Sequence, residues 1–92
     1  MVGYLEVDPA AYRAVLHGRP LDLKPSQLEL LSLLVANRHR VVTRAELADA
    51  SGLEQERSVD VALTSLRRLL PQGFLRNIRN RGWILEPSVF ER

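Results

Sequence analysis

Apolar residues recur at helical spacing most clearly between residues 57 and 70. They lie three or four positions apart, which is the spacing of one buried face of an α-helix. Pro71 and Gly73 follow this run and favour a helix end. The pattern therefore predicts a helix over about residues 58–70. Its apolar face consists of Val59, Leu63, Leu66 and Leu70, with Ala62 and Leu69 beside them.

The opposite face of this helix carries short polar, β-branched and arginine side chains. Because its members are three, four and seven positions apart, they should project together into solvent. An exposed strip is therefore expected there. The strip consists of Val61, Thr64, Ser65 and Arg68, with Asp60 and Arg67 beside them.

A β-hairpin is predicted directly after the helix, over about residues 75–85. Residues 75–79 alternate between apolar and polar, and a second apolar run extends from Trp83 to Leu85. Between the two runs, Asn80, Arg81 and Gly82 favour a tight turn. Arginines at or near the tip are Arg76, Arg79 and Arg81.

Upstream, short alternating runs at residues 4–7, 12–16 and 21–23 are broken by turn-forming residues at 8–9 and 17–20. They predict a small N-terminal antiparallel sheet. A leucine-rich helix should begin near Pro25 or Ser26, where residues 26–29 form a capping-box pattern, and continue to about Ala36. A second capping box at residues 43–46 predicts another helix to about Ala50, with a short strand at residues 41–42 before it.

These elements predict an α+β fold, a winged helix-turn-helix with an N-terminal antiparallel sheet, three helices and a C-terminal β-hairpin wing. The chain should form a single domain over residues 1–92, with its core at about 3–85. An amphipathic helix with exposed arginines is, taken alone, typical of a solvated surface, and tip arginines often protect a sheet edge. Their adjacency, in this order of elements, favours DNA binding instead.

The residues resemble the C-terminal effector domain of two-component response regulators of the OmpR/PhoB type. The family's basic residue, Ser or Thr, Val-Asp-Val and Leu-Arg pair correspond to residues 57–61 and 66–68. Its Arg-Gly-x-Gly-Tyr hairpin motif corresponds to residues 79–83, and its two helix openings correspond to 23–25 and 41–47. Lys24 stands where the family usually has a threonine cap.

The resemblance implies a transcriptional regulator that binds double-stranded DNA, with the third helix in the major groove and the wing toward the adjacent minor groove. Arg57, Arg67 and Arg68 would anchor phosphates, while Thr64 and Ser65 would face base edges. Val61 could contact a thymine methyl, and Trp83 could pack the hairpin or donate its indole N–H to a phosphate. The full set expected to contact DNA is Arg57, Ser58, Val61, Thr64, Ser65, Arg67, Arg68, Asn77, Arg79, Arg81 and Trp83.

Further partners are implied by the same resemblance. Copies of the domain would pair head-to-tail on direct repeats of DNA. The loop at residues 51–56 would contact RNA polymerase, although here it is shorter than usual and lacks the family's tryptophan. The receiver domain that normally precedes such an effector is not in this sequence, so the chain is either an excised domain or a free-standing relative.

Composition narrows the classes of protein to which this chain can belong. The 92 residues contain no cysteine, which removes disulfides and thiolate metal sites and fits a reducing cytoplasm. No apolar run is long enough to span a membrane. The net charge is only +2, but eight of the thirteen basic residues lie at or after Arg44. Twelve of the thirteen are arginine, which favours phosphate and guanine contacts or reflects a GC-rich genome.

The sequence lacks the groups of residues that enzymes use for catalysis, so we expect no catalytic residue, cofactor or metal. His17 and His39 have no carboxylate at metal-ligand or triad spacing, and Glu54 and Glu56 lie in a short loop where solvation is the simpler role. The alternative function is a winged-helix module for protein interaction with vestigial DNA affinity. The weak net charge and the small side chains on the helix favour this alternative, whereas the wing arginines argue against it.

Overall fold

Two small antiparallel sheets flank three helices in the computed structural model, which describes residues 5–38 and 40–86. The first sheet consists of β1 (Leu5–Asp8), β2 (Arg13–Leu16) and β3 (Arg19–Pro20) in that order, and the second has the order β4 (Val42–Thr43), β6 (Gly82–Leu85), β5 (Leu75–Ile78). The predicted order of sheet, helices and hairpin is confirmed. The elements are β1 (Leu5–Asp8), β2 (Arg13–Leu16), β3 (Arg19–Pro20), α1 (Pro25–Ala36), β4 (Val42–Thr43), α2 (Arg44–Ser51), α3 (Glu56–Arg67), β5 (Leu75–Ile78) and β6 (Gly82–Leu85), with a 3-10 turn at Pro9–Ala11.

The N-terminal sheet differs from the prediction in its third strand. His17 and Gly18 adopt φ values of 53° and 78°, so they form a two-residue turn of the kind that joins tightly paired strands. β3 therefore begins at Arg19, and the strand predicted at residues 21–23 was placed too late. Pro20 is tolerated because β3 is an edge strand, where a missing N–H costs no ladder bond. Tyr4, predicted to open the first strand, lies outside the described residues.

α1 begins where it was predicted, near Pro25 or Ser26, but the capping box predicted at residues 26–29 is displaced. The helix begins at Pro25, with Lys24 as its N-cap residue. Proline suits the first helical position, because its φ is already helical and its missing N–H would have had no partner there. The Gln27 side chain accepts a hydrogen bond from the Lys24 backbone N–H at 3.0 Å and so completes half of a capping box.

The capping box predicted for α2 is confirmed. The Glu46 N–H donates to Thr43 Oγ1 at 3.2 Å, and the Thr43 N–H donates to Glu46 Oε2 at 2.8 Å. The Arg40 guanidinium lies 3.1 Å from the same carboxylate. Its hydrogen bond, followed by those from Thr43, lowers the pKa of Glu46 to about 2. Gly52 ends the helix in the left-handed conformation, with φ at 75°.

α3 begins and ends earlier than predicted. It spans Glu56–Arg67, and a tighter turn follows in which the Leu69 N–H donates to the Leu66 carbonyl at 2.9 Å and the Leu70 N–H to the Arg67 carbonyl at 3.2 Å. This turn directs Leu70 into the core, where it is 7% exposed, and leaves Leu69 44% exposed. Leu69 was therefore wrongly assigned to the buried face.

The second sheet joins the hairpin to the helices. β4 pairs with β6 through Val42 to Trp83 and Thr43 to Gly82. A Cβ on Gly82 would lie 2.0 Å from the Val42 carbonyl oxygen, so only glycine allows this approach. The hairpin itself is confirmed, with Asn80 at φ 64° in its turn. The core between the sheets and the helices includes Leu30, Leu31, Leu34, Leu47, Val59, Leu63, Leu66, Phe74, Leu75 and Leu85.

Candidate nucleic-acid interface

α3 presents one buried face and one open face. Val59, Leu63 and Leu66 are 0% exposed, whereas Val61 on the opposite side is 62% exposed. The predicted orientation of this helix is therefore confirmed. The open face forms a shallow depression of about 330 Å³, lined by Arg57, Asp60, Val61, Thr64, Ser65 and Arg68.

The open face has an arginine at each end and short side chains in its middle. Arg57 lies in the first turn of α3 and Arg68 caps its C-terminal end. Their separation of eleven residues corresponds to about 16 Å along a helix axis. The side chains between them belong to Val61, Thr64 and Ser65. Because these side chains are short, a ligand can approach the helix backbone closely. An α-helix with its side chains is about 10–12 Å in diameter, which fits the DNA major groove of about 12 Å width.

The hairpin carries a second pair of arginines. Arg79 and Arg81 lie in its turn and are exposed. Asn77, on β5, donates its side-chain amide to the Gly82 carbonyl at 3.3 Å and therefore helps to hold the turn. A groove of about 310 Å³ separates α3 from the hairpin. Its lining includes Thr64 and Arg67 from α3 and Asn77 and Trp83 from the hairpin.

The arginines on this side of the domain fall into two groups. Arg40, Arg44 and Arg76 are paired with Glu46, Asp60 and Glu86. Within residues 5–38 and 40–86, the guanidinium groups of the second group make no hydrogen bond or ion pair, so their positive charge is free for an anionic ligand. That group consists of Arg57, Arg68, Arg79 and Arg81.

Asp60 connects α3 to two other elements. Its carboxylate accepts from Arg44 Nε, with distances of 2.9 Å to Oδ1 and 3.0 Å to Oδ2. Oδ1 also accepts from the Trp83 indole N–H at 3.0 Å. The Arg67 guanidinium lies over the same indole, 5.5 Å from the ring centroid, at a distance typical of a cation–π contact. α2, α3 and β6 thus meet at one carboxylate.

This geometry corrects one of the two roles expected of Trp83. The indole is 2% exposed, and its single N–H is donated to Asp60. Because indole has no second donor, it cannot also bind a phosphate in this conformation. Trp83 is a packing residue of the hairpin in this structure.

The structure brings most of the predicted residues to one side, but not all equally. Ser58 is half-buried and lines a separate groove with Leu53 and Ala62, at the flank of the open face. Sequence reasoning missed the pairing of Arg44 with Asp60. A carboxylate placed among arginines on a DNA-facing helix was the signal available, because such a charge requires a partner.

The histidines and paired carboxylates considered from the sequence lie as follows. No group of three or more histidine or carboxylate side chains within residues 5–38 and 40–86 could hold a metal ion. His17 and the pair Glu54 and Glu56 are exposed, and His39 lies outside the described residues. No helix in the described part of the chain is long and apolar enough to cross a membrane.

Comparison with known sequences identifies close relatives. The family described as "Transcriptional regulatory protein, C terminal" matches residues 18–85. The response regulator protein PmrA of Pseudomonas aeruginosa is 32% identical over 85 residues, which cover 88% of this chain and 38% of PmrA. The transcriptional regulatory protein QseB of Escherichia coli O157:H7 is 34% identical over 87 residues, which cover 90% of this chain and 40% of QseB. The chain therefore spans about two-fifths of the length of these curated relatives.

Solved structures with the same fold include domains bound to DNA. The DNA-binding domain of the response regulator AdeR, in complex with an intercistronic region, has a TM-score of 0.85 and 26% identity over 94% of this chain and 96% of that chain. The DNA-binding domain of Klebsiella pneumoniae RstA, in complex with the RstA box, has a TM-score of 0.82 and 26% identity over 95% of each chain. These likenesses confirm the predicted winged-helix fold.

Proposed function

This chain belongs to the family of C-terminal domains of transcriptional regulatory proteins, and from that premise we propose that it binds double-stranded DNA sequence-specifically as the DNA-binding part of a transcription regulator. The observation that carries the proposal is the set of four unpaired arginines, two on the open face of α3 and two in the turn of the hairpin. Arg57 and Arg68 lie at the two ends of that face, and Arg79 and Arg81 lie exposed in the turn of the wing. No ion pair within the described residues competes for them.

Docking α3 into the major groove uses both kinds of side chain on the open face. Arg57 and Arg68 are far enough apart to reach phosphates on either side of the groove, and these contacts fix position without reading sequence. Thr64 and Ser65 lie between them and offer hydroxyl groups to base edges. Val61 offers a methyl surface that suits a thymine methyl group. Arg67 lies over the Trp83 indole but remains exposed, so it can reach the DNA backbone.

The wing provides the second half of the proposed contact. Arg79 and Arg81 extend from the turn and can enter the adjacent minor groove, where arginine responds to groove width and negative potential. Asn77 supports the turn through its bond to Gly82. Trp83 contributes by holding β6 against α3 instead of by touching a phosphate.

A titration against duplex DNA at several salt concentrations tests this proposal. If the four unpaired arginines each displace counterions, the slope of log K against log salt should be near −0.9 × 4, or about −3 to −4. Fluorescence anisotropy with a random-sequence duplex measures it. A flat salt response would refute DNA binding and would leave the protein-interaction module as the better function for this surface.

Assembly and partner contacts extend the proposal to the protein as a whole. A single domain with a net charge of +2 should bind one half-site weakly. We therefore expect head-to-tail pairs on direct repeats about one helical turn apart. Footprinting on a selected sequence should show two equally oriented half-sites, and a palindromic or single footprint would contradict this arrangement.

The connection between α2 and α3 is the surface we assign to RNA polymerase. It runs over residues 52–55, with Glu54 and Gln55 exposed. Substituting Glu54 and Gln55 by alanine should reduce transcription from a regulated promoter while DNA affinity stays unchanged. An equal loss of both would place these residues in DNA binding instead. The same proposal places the protein in the cytoplasm, with the DNA that it would regulate.

A further inference from the structure

The Asp60 carboxylate is the one acidic group lining the open face of α3. Its side chain is 39% exposed on a face that should meet DNA phosphates. A free carboxylate there would weaken phosphate binding by like-charge repulsion. Both of its oxygens are occupied, however, by Arg44 and by the Trp83 indole. The charge is therefore neutralised from within the fold, and the bonds that neutralise it lead to the wing.

The contacts of Asp60 define a junction between three elements. Arg44 is the first residue of α2 and directly follows β4, while Trp83 lies on β6 and pairs with Val42 of β4. The ladder between β4 and β6 contains only two residue pairs. A ladder this short provides few backbone bonds between the hairpin and the rest of the fold. The bond from Trp83 to Asp60 adds a constraint directly between the wing and α3.

The position of the wing arginines is sensitive to this constraint. Asn80, at the hairpin tip, lies three residues before Trp83, which is about 10 Å along a strand. A swing of only about 10° at Trp83 would therefore move the tip by about 2 Å. Hydrogen bonds to DNA tolerate only a few tenths of an ångström. A small rotation at the junction is therefore enough to break hydrogen bonds between DNA and Arg79 or Arg81.

We propose that Asp60 is a positioning residue that fixes the wing relative to α3 through its bonds to Trp83 and Arg44, and so aligns the wing arginines with the DNA. The proposal rests on the proposed DNA binding. On this proposal, removing the Asp60 carboxylate weakens DNA binding. Simple electrostatics predicts the opposite, because removing a negative charge from a DNA-facing surface should strengthen binding.

The principal test is Asp60→Asn in the full chain. Asparagine keeps one carbonyl oxygen, but it loses the negative charge and replaces the second carboxylate oxygen with an amide donor that cannot accept from the Arg44 guanidinium, so the junction with Arg44 and Trp83 is weakened. The probes are a duplex selected by the parent chain from a random-sequence pool and an unselected duplex of equal length. We expect affinity for the selected duplex to fall by roughly tenfold, comparable to the loss of a wing contact. Affinity for the unselected duplex should stay the same or rise. Tighter binding of the selected duplex would overturn the proposal.

Two further variants separate positioning from general stability. Asp49→Asn makes the same change of charge at an exposed position on α2 and should not weaken the selected complex. Trp83→Phe removes the indole N–H together with part of the buried ring system, so it should reproduce the loss on the selected duplex from the other partner of the bond, and its melting temperature measures the packing that is lost with the smaller ring. Equal weakening on both duplexes, together with a lower melting temperature, would show a merely structural role and overturn the proposal.

Combining Asp60→Asn with substitutions in the wing tests whether Asp60 acts through the wing. In a background with Arg79→Ala and Arg81→Ala, the wing has no cationic contact left to align. Asp60→Asn should then change affinity for the selected duplex by less than about twofold, since interacting residues are non-additive. An undiminished tenfold loss in that background would show that Asp60 acts elsewhere and would overturn the proposal.

Tryptophan emission tests the junction without DNA. Trp83 is the chain's sole tryptophan and is 2% exposed. Asp60→Asn should shift its emission to longer wavelength and make it more accessible to a soluble quencher. If the parent binds no duplex, the proposed function fails, while this measurement still reports on the junction. Unchanged emission and quenching in Asp60→Asn would overturn the inferred restraint on the wing.

Discussion

Arg79→Ala should weaken binding to a preferred DNA sequence more than either Thr64→Ala or Ser65→Ala. Arg79 is exposed at the hairpin turn and unpaired among the described residues, so its guanidinium can enter a groove without first breaking an internal bond. Thr64 and Ser65 lie on the open face of α3 and offer only neutral hydroxyl groups. The comparison therefore sets the wing against the helix as the main reader of sequence.

The expected magnitudes differ enough to be measured. A charged contact from arginine to a base edge is worth about 1–3 kcal/mol, or about 5- to 150-fold in affinity. A neutral hydroxyl bond contributes about 0.5–1.5 kcal/mol net, or about 2- to 13-fold. The folded state should be unaffected by Arg79→Ala, because the side chain makes no contact that the core needs.

The assay is fluorescence anisotropy at fixed salt with a selected duplex and with a random one. Arg76→Ala is the matched control, since Arg76 is on the same hairpin but is paired with Glu86. It removes the same formal charge and should change affinity by less than about threefold. If Thr64→Ala or Ser65→Ala proves more damaging than Arg79→Ala, the helix is the main reader and our assignment of the wing is wrong.

Three other changes test the fold that supports the interface. Leu66→Ala should cost about 2–5 kcal/mol, seen as a fall in melting temperature, whereas Leu69→Ala should stay within about 0.5 kcal/mol because that side chain is 44% exposed; equal losses would mean that the helix faces are misassigned. Gly82→Ala should cost about 1–3 kcal/mol or more, since its Cβ would meet the Val42 carbonyl oxygen at 2.0 Å, and parent-like melting would contradict that contact. The pKa of Glu46 is lowered to about 2 from 4.5, so the stability it contributes is present above pH 4.5 and is lost as the pH falls toward 2; Glu46→Gln should reduce the acid-induced drop in denaturant midpoint, and an unchanged drop would contradict this linkage.

Local patterns were sufficient to predict the elements that carry the interface. The spacing of apolar residues predicted the orientation of α3, and Val61 is exposed while Val59 is buried, as expected. The Thr43 and Glu46 pair predicted the start of α2, because a capping box satisfies backbone donors within four residues. Asn80 and its neighbours likewise predicted the hairpin turn. Each of these signals depends on residues close together in sequence.

What the sequence did not predict depends on contacts between distant segments. The pairing of Val42 with Trp83 joins residues 41 positions apart, and neither segment alone specifies its partner. The bond from Trp83 to Asp60 follows from that pairing, so its effect on the indole N–H was missed as well. The ends of α3 were also misplaced, because the tightened turn after Arg67 depends on how Leu70 enters the core.

Pairing within the fold, rather than the number of basic residues, should set the salt dependence of DNA binding. Eight basic residues lie at or after Arg44, and if all displaced counterions the slope would approach about −7. Arg44 and Arg76 are committed to Asp60 and Glu86, so they should contribute little. Arg68→Ala should therefore make the slope less negative by about 1, whereas Arg76→Ala should leave it nearly unchanged. Equal shifts from these two substitutions would show that paired and unpaired arginines contact DNA alike. The division of the arginines into these two groups would then be wrong.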